Sequence, residues 1–225
     1  MPNYVKNIVK FKDITWDRFK EILKEINGKE DEGFSFDFNT IIPMPKSLDI
    51  EESSRGDKGY ACYKAYLEEI ERKMNETEKE EIKRKLMEEY GIDENTFELG
   101  KTYYENVKNY GATSWYDWCI EHWGTKWNSM NNYVQENGVI SFETAWSTPE
   151  NVIKEMATKF NVGIEVNFAD EDIGYNCGIY EYNKDGELID GANMNCDTVG
   201  EEKARKFACD IWDEEYEEFE SEMEG

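Results

Sequence analysis

Residues 139–169, VISFETAWSTPENVIKEMATKFNVGIEVNFA, contain the pattern that decides the fold. Their two ends, 139–145 and 162–169, are rich in β-branched and aromatic residues, and each predicts a β-strand. Between them, STPE at 147–150 is typical of a helix start, with its proline in the first turn. Apolar residues then recur every three or four positions, which indicates a helix buried along one side. The stretch therefore predicts a strand, a helix and a second strand.

The chain continues with the same kind of signal on the C-terminal side. CGIYEY at 177–182 alternates as a strand does, and the turn residues NKDG at 183–186 predict a hairpin that returns through 187–189. A final amphipathic helix is predicted over about 199–220. The second half thus predicts an antiparallel sheet with helices packed on one of its faces.

The N-terminal residues add a β-α-β pattern. Residues 4–12 predict a strand, and the apolar stripe that follows predicts a helix ended by Asn27-Gly28. FSFDFNTII at 34–42 alternates its phenylalanines and predicts another strand. We expect residues 4–12 to join the sheet of the second half, which makes the fold class α+β with a ferredoxin-like sheet.

The middle of the chain reads differently. Residues 43–59 are polar, with prolines and glycines, and predict a long exposed loop. Helical spacing dominates from 60 to 123. The sequence therefore predicts a helical insertion at 46–129, set into an α/β core formed by 1–45 and 130–225.

The charge of the chain restricts its partners. Twenty-six basic and fifty-one acidic residues give a net charge of −25. A surface of this sign repels nucleic acid and anionic membranes and attracts cations and basic proteins. We therefore expect neither direct nucleic-acid binding nor membrane association. The oligomeric state stays open.

Cysteine usage and hydropathy indicate the compartment. The five cysteines are an odd number without a CxxC pair, which is typical of reduced thiols in a cytoplasmic protein. The N-terminal residues lack the uninterrupted apolar run of a signal peptide, and no stretch approaches the roughly 20 apolar residues of a membrane span. The prediction is a soluble protein in the cytoplasm of the host cell.

Two motifs resemble ligand sites and do not meet their requirements. Gly100-Lys101-Thr102 ends like a phosphate-binding loop, but Asn95 stands where the required first glycine would be. Acidic residues around Gly174 resemble a calcium loop only loosely, because Tyr175 occupies its glycine position. We interpret the second as a plain turn. No cofactor and no metal site are predicted.

Cys119 and His122 lie three residues apart on a predicted helix and therefore on the same side. A zinc site needs further ligands, and a nucleophilic pair needs an orienting carboxylate. No second motif supplies either, so no catalytic residue is assigned and the protein is predicted not to be an enzyme.

The segment 114–129, SWYDWCIEHWGTKWNS, contains four of the seven tryptophans. One interpretation is core packing, since a buried indole covers roughly 150–250 Å². The other is an aromatic-lined pocket for a nucleotide or metabolite. Its lining would be Trp115, Trp118, His122, Trp123, Lys126 and Trp127.

The C-terminal residues 210–225, DIWDEEYEEFESEMEG, contain nine acidic and no basic residues. As a helix, this segment would repeat carboxylates every ~5–6 Å along one side, comparable with phosphate spacing in a nucleic-acid strand. A solubilising terminal helix and a nucleic-acid-mimicking, partner-binding face are both consistent with it. The partner-binding residues would be Asp210, Asp213, Glu214, Glu217 and Glu218.

Four phrases, in order along the chain, carry a family resemblance: MPNYVKN at 1–7, IIPMP at 41–45, WGTKWN at 123–128 and ISFETAWSTPENV at 140–152. Together they resemble the YubB-like family of uncharacterised phage and plasmid proteins. The resemblance implies a ferredoxin-like C-terminal domain and an origin in a mobile element. It implies no catalytic residues.

Charge and resemblance together lead to a functional hypothesis. The protein is predicted to be a non-enzymatic phage or plasmid accessory protein, a counter-defence inhibitor. Its acidic surface would mimic DNA and bind a host protein in a basic groove. The alternative is a protein that binds or sequesters a small molecule in the tryptophan-lined pocket.

Overall fold

The chain forms two compact units, each with its own packing. The computed structural model describes residues 3–28, 33–70, 74–135 and 138–213. Unit 1 combines Met1–Pro43 with His122–Gly225, and unit 2 is Met44–Glu121. The insertion predicted at 46–129 begins two residues after unit 2 begins and ends eight residues after unit 2 ends.

Along the chain, the strands and helices of unit 1 lie before and after those of unit 2. The strands are β1 (Tyr4–Phe11), β2 (Met130–Gln135), β3 (Val139–Ala145), β4 (Ile164–Asp170), β5 (Cys177–Tyr182) and β6 (Leu188–Asn193). The helices are α1 (Trp16–Ile26), α2 (Ser54–Glu69), α3 (Glu76–Tyr90), α4 (Glu94–Tyr110), α5 (Trp115–Trp123), α6 (Glu150–Phe160), α7 (Cys196–Val199) and α8 (Glu201–Trp212).

Unit 1 contains a single antiparallel sheet in the spatial order β2-β3-β1-β4-β5-β6. Within unit 1, the elements β1, α1, β2, β3, α6 and β4 follow the β-α-β-β-α-β order, with β1 between β3 and β4. This is the ferredoxin-like arrangement. The predicted α+β fold class is confirmed, as is the expectation that residues 4–12 join the sheet.

The two faces of the sheet are covered by different helices. On one face, Phe11 packs against Phe19 of α1, with ring centroids 5.5 Å apart. The cross-strand row from Phe11 through Ile164 continues to Tyr182, whose hydroxyl donates to Glu150 of α6. Successive residues of a strand point to opposite faces of the sheet. The residues on the other face pack against α8. The sequence predicted all three helices and placed them on one face of the sheet; α8 instead packs on the opposite face.

Unit 2 is helical, and its helices α2 and α4 touch through glycines. A Cβ atom added to Gly59 would lie 2.1 Å from the carbonyl oxygen of Thr96, and one added to Gly100 would lie 2.0 Å from the carbonyl carbon of Gly59. The backbones therefore approach more closely than any side chain permits. A small core of Cys62, Tyr63, Leu86 and Phe97 lies beside this contact.

Three sequence-based assignments need correction. The strand predicted at 34–42 is a single bridge between Phe36 and Asn27, followed by a 3₁₀ turn at Phe38–Thr40. The loop predicted at 43–59 contains the first turns of α2. Strand β2 was not predicted, because half of its sequence MNNYVQ is amide side chains.

Candidate functional site

Helix α5 contains most of the tryptophan-rich segment, and its residues differ widely in exposure. Trp118 is 4% exposed and Trp123 is 3% exposed. A buried indole cannot present its face to a ligand arriving from solvent. The predicted pocket therefore loses both of these residues, which are core residues. Trp115 and His122 are half-buried.

Trp123 has a clear structural role in unit 1. Its indole N–H donates to the carbonyl oxygen of Ile42 at 2.9 Å, so its only polar atom is satisfied. Its ring meets Phe38 edge to face, with centroids 5.6 Å apart. The phrase WGTKWN therefore begins with a residue that fixes the segment around residue 42 to the sheet unit.

Cys119 is not an activated nucleophile. Its side chain is buried in unit 2 with its sulfur 3.8 Å from the sulfur of Met44, and burial raises the pKa of the Cys119 thiol to about 12. The thiolate, which is the reactive form, is therefore disfavoured. Within residues 3–28, 33–70, 74–135 and 138–213, no three histidine, cysteine or acidic side chains come together to hold a metal ion.

Two residues of the predicted pocket, Lys126 and Trp127, meet a third residue that was not predicted. The ammonium nitrogen of Lys126 lies 4.7 Å from the ring centroid of Trp127 and 4.7 Å from that of Trp146. Both distances are within cation–π range. We call Trp127 and Trp146 the indole clamp. Of the two rings, Trp146 is 41% exposed, so the clamp is open to solvent.

Trp146 has a backbone conformation that is rare for a bulky residue, with φ of +71°. Such a conformation costs about 1–3 kcal/mol and persists only where the surrounding structure imposes it. Here the amide of Trp146 donates to the carbonyl of Asn3 at 2.9 Å. The carbonyl of Trp146 accepts from the side chain of Asn176 at 3.3 Å. Both backbone polar groups are therefore held by neighbouring segments.

The other side of the clamp is braced as firmly. The hydroxyl of Thr125 donates to the carbonyl of Ala145 at 2.7 Å, and the hydroxyl of Ser147 donates to the carbonyl of Gly124 at 2.6 Å. These two bonds tie the segment that carries Lys126 and Trp127 to the end of β3. The backbone segments that carry the two tryptophans are consequently held together before any ligand arrives.

An acidic turn adjoins the clamp. The carboxylate of Asp170 accepts from the side chain of Asn3 at 3.2 Å and from the amide of Asp172 at 2.8 Å. The segment that was compared with a calcium loop is thus a turn closed on its own backbone, as expected. Glu171 and Asp172 in this turn are exposed to solvent.

The predicted acidic face lies only partly within the described residues. Asp210 is exposed on α8. Asp213 is exposed too, and its carboxylate is 2.8 Å from the ammonium of Lys6. Glu214, Glu217 and Glu218 lie outside the described residues. Upstream on α8, exposed Lys203 and Lys206 interrupt the acidic residues, so the described helix is not uniformly acidic.

Beside the Lys6–Asp213 pair, a groove of about 550 Å³ runs along the α8 face of the sheet. Its lining combines Tyr133 and Trp212 with the carboxylate of Glu143, which accepts from Asn131 at 2.7 Å. In this groove Lys6 and Asp213 form an ion pair and Glu143 accepts from a neutral amide, so each charged group has a partner within the chain.

Of the site residues, only Trp146 was missed by sequence reasoning. Its signal was present, since a tryptophan follows the predicted strand directly and precedes the helix start STPE. What the sequence lacked was the left-handed backbone that brings its ring onto Lys126.

A family model that matches part of the chain agrees with the fold. A family model described as "Ferredoxin-like domain in Api92-like protein" matches residues 122–224. Among solved structures, the chain is similar to the crystal structure of a protein api92 from Yersinia pseudotuberculosis. The two share 12% sequence identity, with a TM-score of 0.44 over 86% of this chain and 98% of that one. No curated protein matches the chain.

These matches name Api92-like proteins, whereas the four sequence phrases resemble the YubB-like family. The description of the family model and the YubB-like resemblance both include a ferredoxin-like domain. The phage and plasmid association stays a prediction. None of the described helices is long and apolar enough to cross a membrane. The matched range begins at His122, where unit 1 resumes after unit 2. Residues 122–224 therefore match a ferredoxin-like domain, in agreement with the topology of the sheet.

Proposed function

We propose that the protein is a non-enzymatic binding protein that inhibits a nucleic-acid-binding protein by placing an acidic surface in its basic groove. The observation that carries this proposal is the uneven distribution of charge. Residues 170–225 contain nineteen acidic and four basic residues, a net charge of −15 out of −25 for the chain. One quarter of the sequence thus holds more than half of the excess negative charge.

Exposure supports the same proposal. Among residues 170–213, ten of the twelve acidic side chains are exposed to solvent. They are Glu171, Asp172, Asp185, Glu187, Asp190, Asp197, Glu201, Glu202, Asp210 and Asp213. Unit 2 differs, with nineteen acidic and twelve basic residues and with ion pairs along its helices. Exposed charge of one sign accelerates association with a partner of opposite sign and excludes partners of like sign.

The finer parts of the proposal rest on the sequence. A mobile element benefits from inhibiting host proteins that act on its DNA, and the YubB-like resemblance suggests such an origin. The host proteins concerned would have basic grooves that normally hold nucleic acid. Counter-defence in the cytoplasm of the host is therefore the setting we propose.

The experiment compares two charge variants of the full chain. The first replaces exposed carboxylates of the C-terminal part by amides at Glu171, Asp172, Asp190, Asp197, Glu201, Glu202 and Asp210. The matched control replaces the same number in unit 2, at Glu68, Glu69, Glu80, Glu81, Glu88, Glu89 and Glu105. Both variants have the same net charge, and circular dichroism checks that each is folded.

Capture from host extract at low salt, followed by DNA competition on each captured protein, is the measurement. We expect basic, nucleic-acid-binding proteins to bind the wild type and the control, and to bind the first variant about ten-fold more weakly. Added salt or duplex DNA should release them. Equal loss in both variants, or capture that DNA does not displace, contradicts the proposal. Stabilisation by a metabolite that persists in high salt would favour the small-molecule alternative.

A further inference from the structure

Both rings of the indole clamp contact a positively charged group in the structure. The Lys126 ammonium sits 4.7 Å from both ring centroids, so each of the two rings contacts a cation. The faces of both rings carry the negative side of their quadrupoles. In the structure the cation comes from the chain itself.

The cation that Lys126 supplies differs in hydration from the guanidinium of an arginine. A lysine ammonium is a strongly hydrated point charge on a flexible four-carbon stem, so it gains solvation on moving into water. An arginine guanidinium is planar and more weakly hydrated, and it stacks on aromatic faces. Exchange of Lys126 for an arginine from outside therefore loses little hydration and gains ring contact.

The surroundings of the clamp favour a positively charged visitor. Asn3 accepts from the Trp146 amide and also donates to the Asp170 carboxylate, so it joins the clamp to the acidic turn. Glu171 and Asp172 in that turn are exposed. Their field draws cations towards the clamp, and the braced backbone of Trp146 keeps its ring in place for them.

We propose that the indole clamp is the anchor point for an arginine side chain of the basic partner, with Lys126 as a placeholder that this arginine displaces. The inference rests on the proposed function, because it names the contact by which the basic partner is gripped. Tryptophan and arginine are enriched among the residues that dominate interface energies, which is consistent with one aromatic anchor inside a wide acidic surface.

The test uses the full, ¹⁵N-labelled chain and Nα-acetyl-arginine amide as the probe, at constant ionic strength. The indole N–H signals of Trp127 and Trp146 report occupancy of the clamp. In wild type we expect weak binding, because Lys126 competes. In Lys126→Ala the clamp is vacant, and the dissociation constant should fall about five-fold or more. Nα-acetyl-lysine amide should bind more weakly than the arginine probe in both proteins.

A second variant separates the clamp from general attraction to an acidic protein. Trp146→Gly, added to Lys126→Ala, keeps a residue that adopts φ of +71° without strain and removes one ring. The affinity for the arginine probe should return to that of the wild type or fall below it. Unchanged affinity in Lys126→Ala, or probe-induced shifts spread over the acidic surface and absent from the two indoles, would overturn the inference.

Trp146→Gly as a single substitution distinguishes failure of the clamp from failure of the proposed function. If Trp146→Gly captures the same basic proteins as wild type with equal affinity, the clamp is not their anchor and the inference is wrong, while the proposed function stands. If the clamp binds the arginine probe as expected and no basic protein is captured, the proposed function fails. The clamp is then a cation site without that partner, and its assignment as the partner's anchor fails with it.

Discussion

The two units bury their residues by different means. Unit 1 fills its core with large rings: Phe36, Phe38, Phe142 and Trp123 meet edge to face, with centroids between 5.0 and 5.9 Å apart. Unit 2 brings α2 and α4 together where Gly59 and Gly100 have no side chain. Removal of atoms therefore tests the ring cluster of unit 1, and addition of atoms tests the contact between α2 and α4 in unit 2. Substitutions of opposite kinds test this difference.

The largest effect is expected from emptying the aromatic core of unit 1. Phe38 is fully buried and contacts three other rings. Phe38→Ala should lower the free energy of unfolding by about 3–5 kcal/mol, because it removes apolar contact and leaves a cavity. Urea denaturation measures the loss, and hydrogen exchange locates it in the sheet.

Phe34 provides the matched control, since it belongs to the same segment and is only half-buried. Phe34→Ala should cost clearly less than Phe38→Ala. Equal losses at the two positions would show that the ring cluster around Phe38 does not dominate the stability of unit 1.

The next effect comes from filling space in unit 2. In Gly59→Ala the new methyl group would meet the carbonyl oxygen of Thr96, which is backbone and cannot rotate away. The helices must separate, at a cost of about 3 kcal/mol. Amides of α2 and α4 should then exchange with solvent faster. Gly100→Ala should behave in the same way.

Gly91→Ala separates this clash from backbone strain. Gly91 ends α3 with φ of +61° and has open space around its Cα atom. Its substitution should cost only about 1 kcal/mol, through the left-handed conformation alone. A loss in Gly59→Ala no greater than that in Gly91→Ala would argue against the close helix contact.

The same contrast explains what the sequence revealed. In unit 1, periods of two and of 3.6 residues are directly visible, and β1, β3, β5, α1 and α6 were all predicted from them. In unit 2, Gly56 and Gly59 favour a turn in the sequence pattern, so the start of α2 was predicted as a loop. In the structure both glycines lie in α2, at positions where α4 approaches closely. A glycine selected for close approach looks identical, in a single sequence, to one selected for a turn.

The segment 34–42 shows a different limit. Its alternating phenylalanines predicted a strand, and the burial that alternation implies is real, since Phe36 and Phe38 are buried. Their amides, however, donate to the side chains of Asn132 and Asn128 rather than to a neighbouring strand. Side-chain acceptors from a segment some 90 residues away take the place of the backbone hydrogen bonds of a strand, and no local sequence pattern indicates such a partner.

Only part of the candidate site could be predicted from the sequence, because its residues come from separate segments. Lys126 and Trp127 were recognised because they stand together in the sequence. Trp146 comes from the end of a strand, and its contact with Lys126 depends on one backbone angle and on bonds to Asn3 and Asn176. Three separate segments converge there, which is information that only the folded chain contains.

A buried tyrosine gives the third test, through pH. Tyr103 donates its hydroxyl to the carbonyl of Glu51 at 2.6 Å, and burial raises the pKa of Tyr103 to about 12. The folded-state pKa lies above the unfolded value, so this contribution is complete below pH 10 and is lost as the pH rises towards 12. The loss should reach roughly 2–3 kcal/mol.

Tyr103→Phe is the control for that titration. It leaves the carbonyl of Glu51 without this donor and should cost about 1 kcal/mol at neutral pH. Between pH 10 and 12, wild type should lose stability faster than the variant, and the difference isolates Tyr103 from Tyr182, whose pKa is also raised by burial. Parallel pH profiles for the two proteins would contradict the assignment.

The smallest effect concerns the helix caps, where the units should behave alike. Thr15 caps α1 in unit 1, with its hydroxyl oxygen 3.3 Å from the amide of Arg18. Asn75 caps α3 in unit 2 by a reciprocal pair of bonds with Glu78, at 3.0 and 2.8 Å. Substitution of either cap by alanine should cost about 1 kcal/mol or less, with the larger loss at Asn75 because its side chain accepts the shorter bond, 3.0 Å against 3.3 Å at Thr15.

Glycine at the same positions is the control, because it retains cap geometry without the side chain and should cost only a few tenths of a kcal/mol relative to the native cap. Thermal unfolding of the alanine and glycine variants in parallel provides the measurement. Since a cap acts within one helical turn, its value does not depend on whether rings or glycines pack the unit around it. A cap loss several-fold larger in one unit would mean that packing and local structure are coupled there, and the contrast between the units would then extend beyond their cores.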